Sequence, residues 1–302
     1  MVDHYLLMTG GTGFLGQALC RHALSRGHRV AVLTRNVIRA GDLLPKNIGL
    51  FSSLNDVADL EKVTCLVNLA GEPLINGRWN KARKEKFMAS RVGTTQSLYA
   101  DFSQRGFAPR LVVNGSAVGY YGPHEDRLLD ESGKFHDSFS HQLCAAWENA
   151  AKQFTELGSR VCLVRTGIVL DKEKGALARM LPSFRMALGG VIGNGKQWMP
   201  WIHVEDFVGL VFHLIRRSDI RGAVNATAPN PVTNKQFTKI LGAVLHRPAV
   251  FRIPGPMVRL IFGEMAKELL LSGQKVYPRK ALETGYEFKF PLLEAALKDL
   301  LA

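Results

Sequence analysis

The sequence predicts an α/β protein: a doubly wound parallel sheet with a smaller region appended on its C-terminal side. Three observations carry that expectation. A glycine-rich stretch, Met8-Thr9-Gly10-Gly11-Thr12-Gly13-Phe14-Leu15-Gly16, joins a short apolar segment to one of helical period. Apolar runs of strand length then alternate with helical patterns as far as about residue 170. The chain has 302 residues, 46% hydrophobic and 22% charged, which suits one large α/β domain with or without a smaller companion.

The glycine stretch is the organising element. Tyr5-Leu6-Leu7-Met8 before it is long enough for a buried strand, and Phe14, Leu15, Ala18, Leu19, His22 and Ala23 after it fall at helical spacing. The glycines therefore occupy a strand-to-helix turn. Gly10, Gly13 and Gly16 read as G-x-x-G-x-x-G, and Gly11, Gly13 and Gly16 as G-x-G-x-x-G. A pyrophosphate resting on a helix N-terminus meets free backbone N–H groups and the positive end of the helix dipole. Side chains in the turn would hold the phosphates away, and one further glycine lets helix and strand pack closely. A Rossmann-type dinucleotide site follows.

The second strand, Arg29 to Thr34, ends at Arg35. Dinucleotide sites selective for NAD place Asp or Glu there for the ribose 2′-hydroxyl, whereas an Arg accommodates a 2′-phosphate. Thr34 and Arg35 suit that phosphate, and the Thr34–Ile38 stretch holds no acid, so NADP is expected over NAD. A weak third strand lies near Asn47 to Phe51. The fourth, Thr64 to Gly71, ends in small residues, Ala70 and Gly71, against which a cofactor ribose can lie. A basic stretch, Gly77 to Lys86, leads into a helix reaching about Gln104, with Met88, Val92, Thr95, Tyr99 and Phe102 as its apolar stripe. Arg91 lies beside that stripe and is expected to point along the sheet edge toward the cofactor.

The fifth strand, Arg110 to Asn114, delivers Gly115-Ser116-Ala117-Val118-Gly119-Tyr120-Tyr121-Gly122. Ser116 at a strand end, with two tyrosines following, is a candidate for polarising a substrate oxygen. A polar loop to Asp137 precedes a helix from Ser138 to Phe154, and Val161 to Gly167 form the sixth strand. Beyond Leu170 the alternation loosens. A helix and a Gly/Pro-rich loop span Gly175 to Met199, Trp201–Asp206 open another helix, and Gly222 to Thr227 read as a returning strand. Helices near Asn234–Leu245, Pro256–Leu271 and Leu292–Leu301 complete the chain. The expected division is a dinucleotide-binding domain over 1–170, completed by about 204–228. The substrate-binding region then comprises 171–203 and 229–302.

Net charge is +13. Basic proteins bind nucleic acid, membrane surfaces or anionic small ligands. Here the charges are scattered and no nucleic-acid recognition motif accompanies them, so an anionic cofactor is the expected partner. No apolar run reaches the ~18 residues of a membrane helix, and the N-terminus reads as a strand rather than a signal peptide. Cys20, Cys65, Cys144 and Cys162 show no C-x-x-C spacing and fall in apparent core segments, which suits a reducing cytoplasm. No metal site is expected.

Taken together, these motifs resemble the extended short-chain dehydrogenase/reductases, the NAD(P)-dependent epimerase/dehydratase group. The matching residues are Thr9–Gly16, Asn68-Leu69-Ala70-Gly71, Val92-Gly93-Thr94, Ser116 with Tyr121-Gly122, Leu163-Val164-Arg165 and Ile202-His203-Val204-Glu205-Asp206. Further matches are similar to an atypical branch with human and bacterial members: Glu72-Pro73, Arg78-Trp79-Asn80, Ser90-Arg91, Trp147-Glu148, Pro200-Trp201 and Gly273-Gln274-Lys275-Val276. The resemblance implies cofactor contacts from Gly10, Thr12, Gly13, Phe14, Leu15, Thr34, Arg35, Leu69, Ala70, Gly71, Arg91 and Arg165. The alternative for Arg165 is an ion pair with Asp206 or Glu205.

In that group a Tyr in Y-x-x-x-K is the general acid/base, its pKa lowered by the lysine, while a Ser hydrogen-bonds the reacting oxygen. Ser116 fits the serine. Anchored on Glu148, the lysine position holds Cys144 and the tyrosine position Ser140; a shift of one offers His141, still without lysine. The proton-transfer candidates are therefore Tyr120, Tyr121 and His141, whose unperturbed pKa near 6.5 suits the task. Two functions compete: an NADP-dependent oxidoreductase or epimerase-like enzyme on a small polar substrate, and an NADP-binding regulatory or scaffold protein without turnover. Analogy with the superfamily adds a possible homodimer through long helices.

Overall fold

A computed structural model describes residues 4–57, 59–75 and 77–302. Its centre is a seven-stranded, wholly parallel sheet. The strands are β1 (Tyr5–Thr9), β2 (Arg29–Leu33), β3 (Gly49–Phe51), β4 (Cys65–Asn68), β5 (Leu111–Ala117), β6 (Arg160–Thr166) and β7 (Gly222–Ala226), in the order β7-β6-β5-β4-β1-β2-β3. The order reverses between β1 and β4, which opens a crevice at their carboxyl ends. Strands buried on both faces read as continuous apolar runs, which is why β1, β4 and β5 were conspicuous in sequence and the half-exposed, three-residue β3 was weak.

The helices up to residue 216 are α1 (Phe14–Ser25), α2 (Val37–Leu43), α3 (Lys81–Met88), α4 (Thr94–Gln104), α5 (Phe139–Lys152), α6 (Gly175–Arg185) and α7 (Val204–Arg216). On one face α1 and α7 pack on the sheet through Leu19, Cys20, Phe207, Leu210 and Val211. On the other, α4 and α5 pack through Leu98, Phe102 and Ala151. The C-terminal part adds α8 (Asn234–Val244), α9 (Gly255–Phe262), α10 (Arg279–Glu283) and α11 (Leu293–Leu301); α6, α8 and α11 enclose a second core in which Trp201, Phe237, Leu241 and Leu297 are fully buried, whereas Ala281 of α10 joins the core under the sheet.

Several boundaries differ from those expected. β4 stops at Asn68, three residues short of the expected Gly71. The helix expected up to Gln104 begins at Lys81, where the Asn80 side chain accepts from Arg83 N–H as an N-cap. It is also interrupted by a π turn over Ala89–Gly93. β5 continues to Ala117, which places Ser116 inside the strand. The single helix expected over Pro256–Leu271 is α9 followed by a π turn, Ala266–Leu270. Short ladders were not foreseen, among them Leu128–Leu129 with Lys275–Val276 and Gly190–Ile192 with Phe251–Ile253. All four cysteines are buried and unbridged.

Candidate active site

The turn after β1 has the shape a phosphate needs. Gly10 sits at φ +68°, and a Cβ there would lie 2.5 Å from the Leu69 carbonyl oxygen. A Cβ on Gly16 would lie 2.3 Å from the Gly10 carbonyl oxygen. These two positions bring β1, β4 and α1 closer together than any side chain permits. Gly13 is the N-cap of α1, with no side-chain cap and no acid in the first turn. The first N–H groups of α1, at Phe14 and Leu15, are thus left for an outside acceptor. Thr12 closes the turn, its carbonyl accepting from Gln17 Nε2 at 2.7 Å.

The strand ends flanking the crevice are pinned by one buried polar network. Asn68 accepts from Thr9 Oγ1 at 2.5 Å and donates to Thr95 Oγ1 and Asn114 Oδ1 at 2.8 and 2.6 Å. Trp147 Nε1 also donates to Thr95. Leu69, Ala70 and Gly71 emerge directly from this network. Gly71 has Arg91 against it: a Cβ would meet the guanidinium carbon at 2.8 Å. Arg91 projects from the π turn, donates through Nη2 to the Glu72 carbonyl at 3.0 Å and faces the Trp147 ring. Its Nη1 is buried with no partner, and burial lowers its pKa. An orphaned cationic donor at the crevice is an observation that fits a bound anionic dinucleotide. At the end of β2, the Arg35 side chain is 94% exposed and approaches Glu72 Oε1 at 3.5 Å, and Thr34 Oγ1 accepts from Asn36 N–H. Both are open to a 2′-phosphate.

Ser116, at the end of β5, donates from Oγ to Glu148 Oε1 at 2.8 Å. Glu148, on α5, is itself gripped by Arg165 on β6, Nε to Oε1 at 2.8 Å and Nη2 to Oε2 at 3.0 Å. This buried bidentate pair replaces the ion pair with Asp206 or Glu205 considered for Arg165. Asp206 instead accepts from the Lys289 and Phe290 N–H groups, and Glu205 pairs with Lys289. Burial pulls the Arg165 pKa down, but the Glu148 carboxylate outweighs it and the net direction is up. Arg165 is thus held by Glu148 and lies against the Tyr120 face, 3.4 Å from the ring centre.

The three proton-transfer candidates differ sharply. Tyr121 is fully buried; its hydroxyl donates to Asn225 Oδ1 at 2.7 Å and accepts from Arg165 Nη1 at 3.1 Å. Burial pushes its pKa up to about 12, opposite to what a general base requires. His141 lies in the first turn of α5, stacked on Phe135 with ring centres 3.8 Å apart and Nδ1 bonded to the Tyr120 carbonyl at 2.5 Å. Tyr120 is half-buried beside Arg165, edge-on to both Tyr121 and His141. Ser140 and Cys144 do stand against the Ser116–Tyr121 strand end, since a Cβ on Gly119 would lie 3.1 Å from Ser140 Cβ and 3.8 Å from Cys144 Sγ. Burial raises the Cys144 thiol to about 11, so it packs as a thiol. Ser140 is engaged by Glu268, whose carboxylate also takes the Phe139 and Ser140 N–H groups.

Sequence reasoning used Glu148 only as an alignment anchor and missed its bond to Ser116. A buried acid one helix away carries no local signal. Glu268, far along the chain, was equally silent. Among the described residues no three His, Cys, Asp or Glu cluster as metal ligands, and no helix is long and apolar enough to cross a membrane.

The NAD dependent epimerase/dehydratase family profile matches residues 6–226, and a domain of unknown function (DUF1731) matches 253–300. The chain is 39% identical over 303 residues to "Epimerase family protein SDR39U1" of Mus musculus, covering 98% of this chain and 99% of the relative. It is 35% identical over 302 residues to "Epimerase family protein YfhF" of Bacillus subtilis, covering 98% of each. The crystal structure of human epimerase family protein SDR39U1 (isoform 2) with NADPH superposes with a TM-score of 0.87 at 35% identity, over 98% of both chains. The chain therefore belongs to the NAD-dependent epimerase/dehydratase family, in the branch of the SDR39U1 epimerase family proteins.

Proposed function

We propose that this protein is an NADP(H)-dependent oxidoreductase or epimerase-like enzyme acting on a small polar substrate. The observation that carries the reading is the pairing of two features across one crevice: a glycine cradle with Arg35 at its adenosine side, and a hydrogen-bonded Ser116 at the adjacent strand end. The human relative's structure contains NADPH, which supports the cofactor. Gly10, Gly13 and the N–H groups of Phe14 and Leu15 would hold the diphosphate, Thr34 and Arg35 the 2′-phosphate, and Leu69, Ala70, Gly71 and Arg91 the nicotinamide-side ribose and phosphate. Bound there, a nicotinamide dinucleotide would supply hydride-transfer chemistry.

The chain's own residues handle the proton. Ser116 Oγ donates to Glu148, which leaves its lone pairs as the acceptors that a substrate hydroxyl would use. As that hydroxyl is oxidised, its proton passes to Ser116 Oγ while the Ser116 proton moves to Glu148 Oε1; reduction runs the same steps backward. Arg165 fixes the carboxylate in place and Tyr120, under Arg165, walls the site. This Ser116–Glu148 relay stands where the usual tyrosine and lysine are absent. A second reading, an NADP-binding regulatory protein, is favoured by one specific observation: the tyrosine and lysine positions hold Ser140, bound to Glu268, and Cys144, a buried thiol. Calorimetric titration with NADPH and NADH, followed by NADPH oxidation against a panel of small carbonyl compounds, separates them. Tight binding with turnover supports the enzyme; tight binding with none across the panel supports the regulator; no binding refutes both.

A further inference from the structure

The cofactor cradle has a second side. The turn 171–175 after β6 folds back onto the start of α1, with Gly175 against Phe14: a Cβ there would lie 3.1 Å from the ring. Lys174, half-buried and the N-cap of α6, donates from Nζ to Gln17 Oε1 at 2.5 Å, and Gln17 Nε2 donates to the Thr12 carbonyl at 2.7 Å. The ammonium group is therefore one amide away from the glycine turn. It also sits beside the N-terminus of α1 and at that of α6. Neither helix has a side-chain cap or an acid in its first turn. The nearby acid Asp171 turns Oδ1 onto the N–H groups of Glu173 and Lys174. A cation beside a helix N-terminus is repelled by the dipole, so the arrangement gains only when an anion lies between them.

We propose that Lys174 is a diphosphate-binding residue, a cationic jaw beside the glycine turn. This rests on the dinucleotide reading above and adds a residue that the glycine motif does not contain. It also assigns a division of labour. Arg35 reads the 2′-phosphate and so sets the preference for NADP over NAD, whereas Lys174 contacts a group common to both and sets affinity without preference. The flexible four-carbon stem of a lysine lets its head exchange Gln17 for a phosphate oxygen.

The test is equilibrium binding to the full chain by calorimetry, with NADPH, NADH and adenosine 2′-monophosphate as probes. Lys174→Gln removes the charge while keeping a neutral donor for Gln17. Lys174→Arg keeps the charge, and the melting temperature of each ligand-free variant reports folding. The expected result is that Lys174→Gln weakens NADPH and NADH by the same factor, about tenfold, and flattens the salt dependence of binding. Adenosine 2′-monophosphate, which carries no diphosphate, binds unchanged, and Lys174→Arg binds near the wild-type level. Wild-type affinity in Lys174→Gln overturns the proposal, as does a loss confined to NADPH or one shared by adenosine 2′-monophosphate. If the wild type binds neither dinucleotide, the cofactor reading fails first and takes the proposal with it.

Discussion

Replacing Glu148 by Gln isolates the buried charge at the centre of the site. The substitution keeps volume and one acceptor oxygen but removes the negative charge facing Arg165. Three hydrogen bonds converge on the carboxylate, from Ser116 Oγ, Arg165 Nε and Arg165 Nη2, at 2.8, 2.8 and 3.0 Å. The amide accepts from one Arg165 nitrogen and turns an NH2 toward the other donors. Glu148 is 1% exposed and Arg165 4%, so no water compensates. Tyr121 Oη and the Glu131 carbonyl remain as partners for Arg165 Nη1. Breaking such a pair typically costs about 3–5 kcal/mol because a charge is left buried and uncompensated. Urea unfolding of Glu148→Gln should fall in that range with an unchanged m-value. The double variant Glu148→Gln/Arg165→Met should recover part of the loss, since the stranded charge is gone. A loss under about 1 kcal/mol for Glu148→Gln, or strict additivity of the two changes, would refute the view that this pair is desolvated and coupled.

Other expectations follow from the cradle and its surroundings. Arg35→Ala should weaken NADPH about 10- to 100-fold and leave NADH nearly untouched; equal loss for both removes the 2′-phosphate assignment. Gly16→Ala, whose methyl would sit 2.6 Å from Gly11 Cα, should abolish dinucleotide binding and cost about 1–3 kcal/mol of stability; calorimetric binding at wild-type strength contradicts the geometry. Burial lowers the pKa of His203 and His213 below 6.5. Above pH 6.5 both states are neutral at these rings. Below it the unfolded chain takes up protons that the folded one resists, so stability should fall between pH 7 and pH 5. Substituting Gln for both should flatten that slope in urea titrations; an unchanged slope assigns it elsewhere.

The cofactor cradle was legible because its chemistry is local. Gly10, Gly13 and Gly16 lie within seven residues, between a strand and a helix that announce themselves by their own periods. Arg35 was found from its place at the end of β2, a fixed offset from the turn. The groups around Ser116 were not legible in the same way. Ser116 was read as a strand-end hydroxyl at the sheet's carboxyl edge, but Glu148 meets it only because α5 crosses β5, a contact that no residue spacing encodes. Tyr121 looked like a free phenol beside Ser116; the structure buries it on Asn225, at the far edge of the sheet. The π turn over Ala89–Gly93, which aims Arg91 at Gly71, is invisible to a search for helical period because the apolar stripe runs through it.

The route of β7 has a consequence for how the chain can be divided. β7 enters the sheet beside β6 only after the excursion through α6 and α7, and Lys275–Val276 returns to pair with Leu128–Leu129. Glu131, in the same polar loop, accepts from the N–H groups of Asn225 and Lys280. Three distant stretches are thus sewn together at one edge. During synthesis the first five strands can assemble early, yet that edge stays unpaired until residue 226 and unstitched until residue 276 have been made. A fragment ending near residue 170 would expose the flank of β6 as an open template for another chain. A cut between the two regions should therefore release an aggregation-prone half.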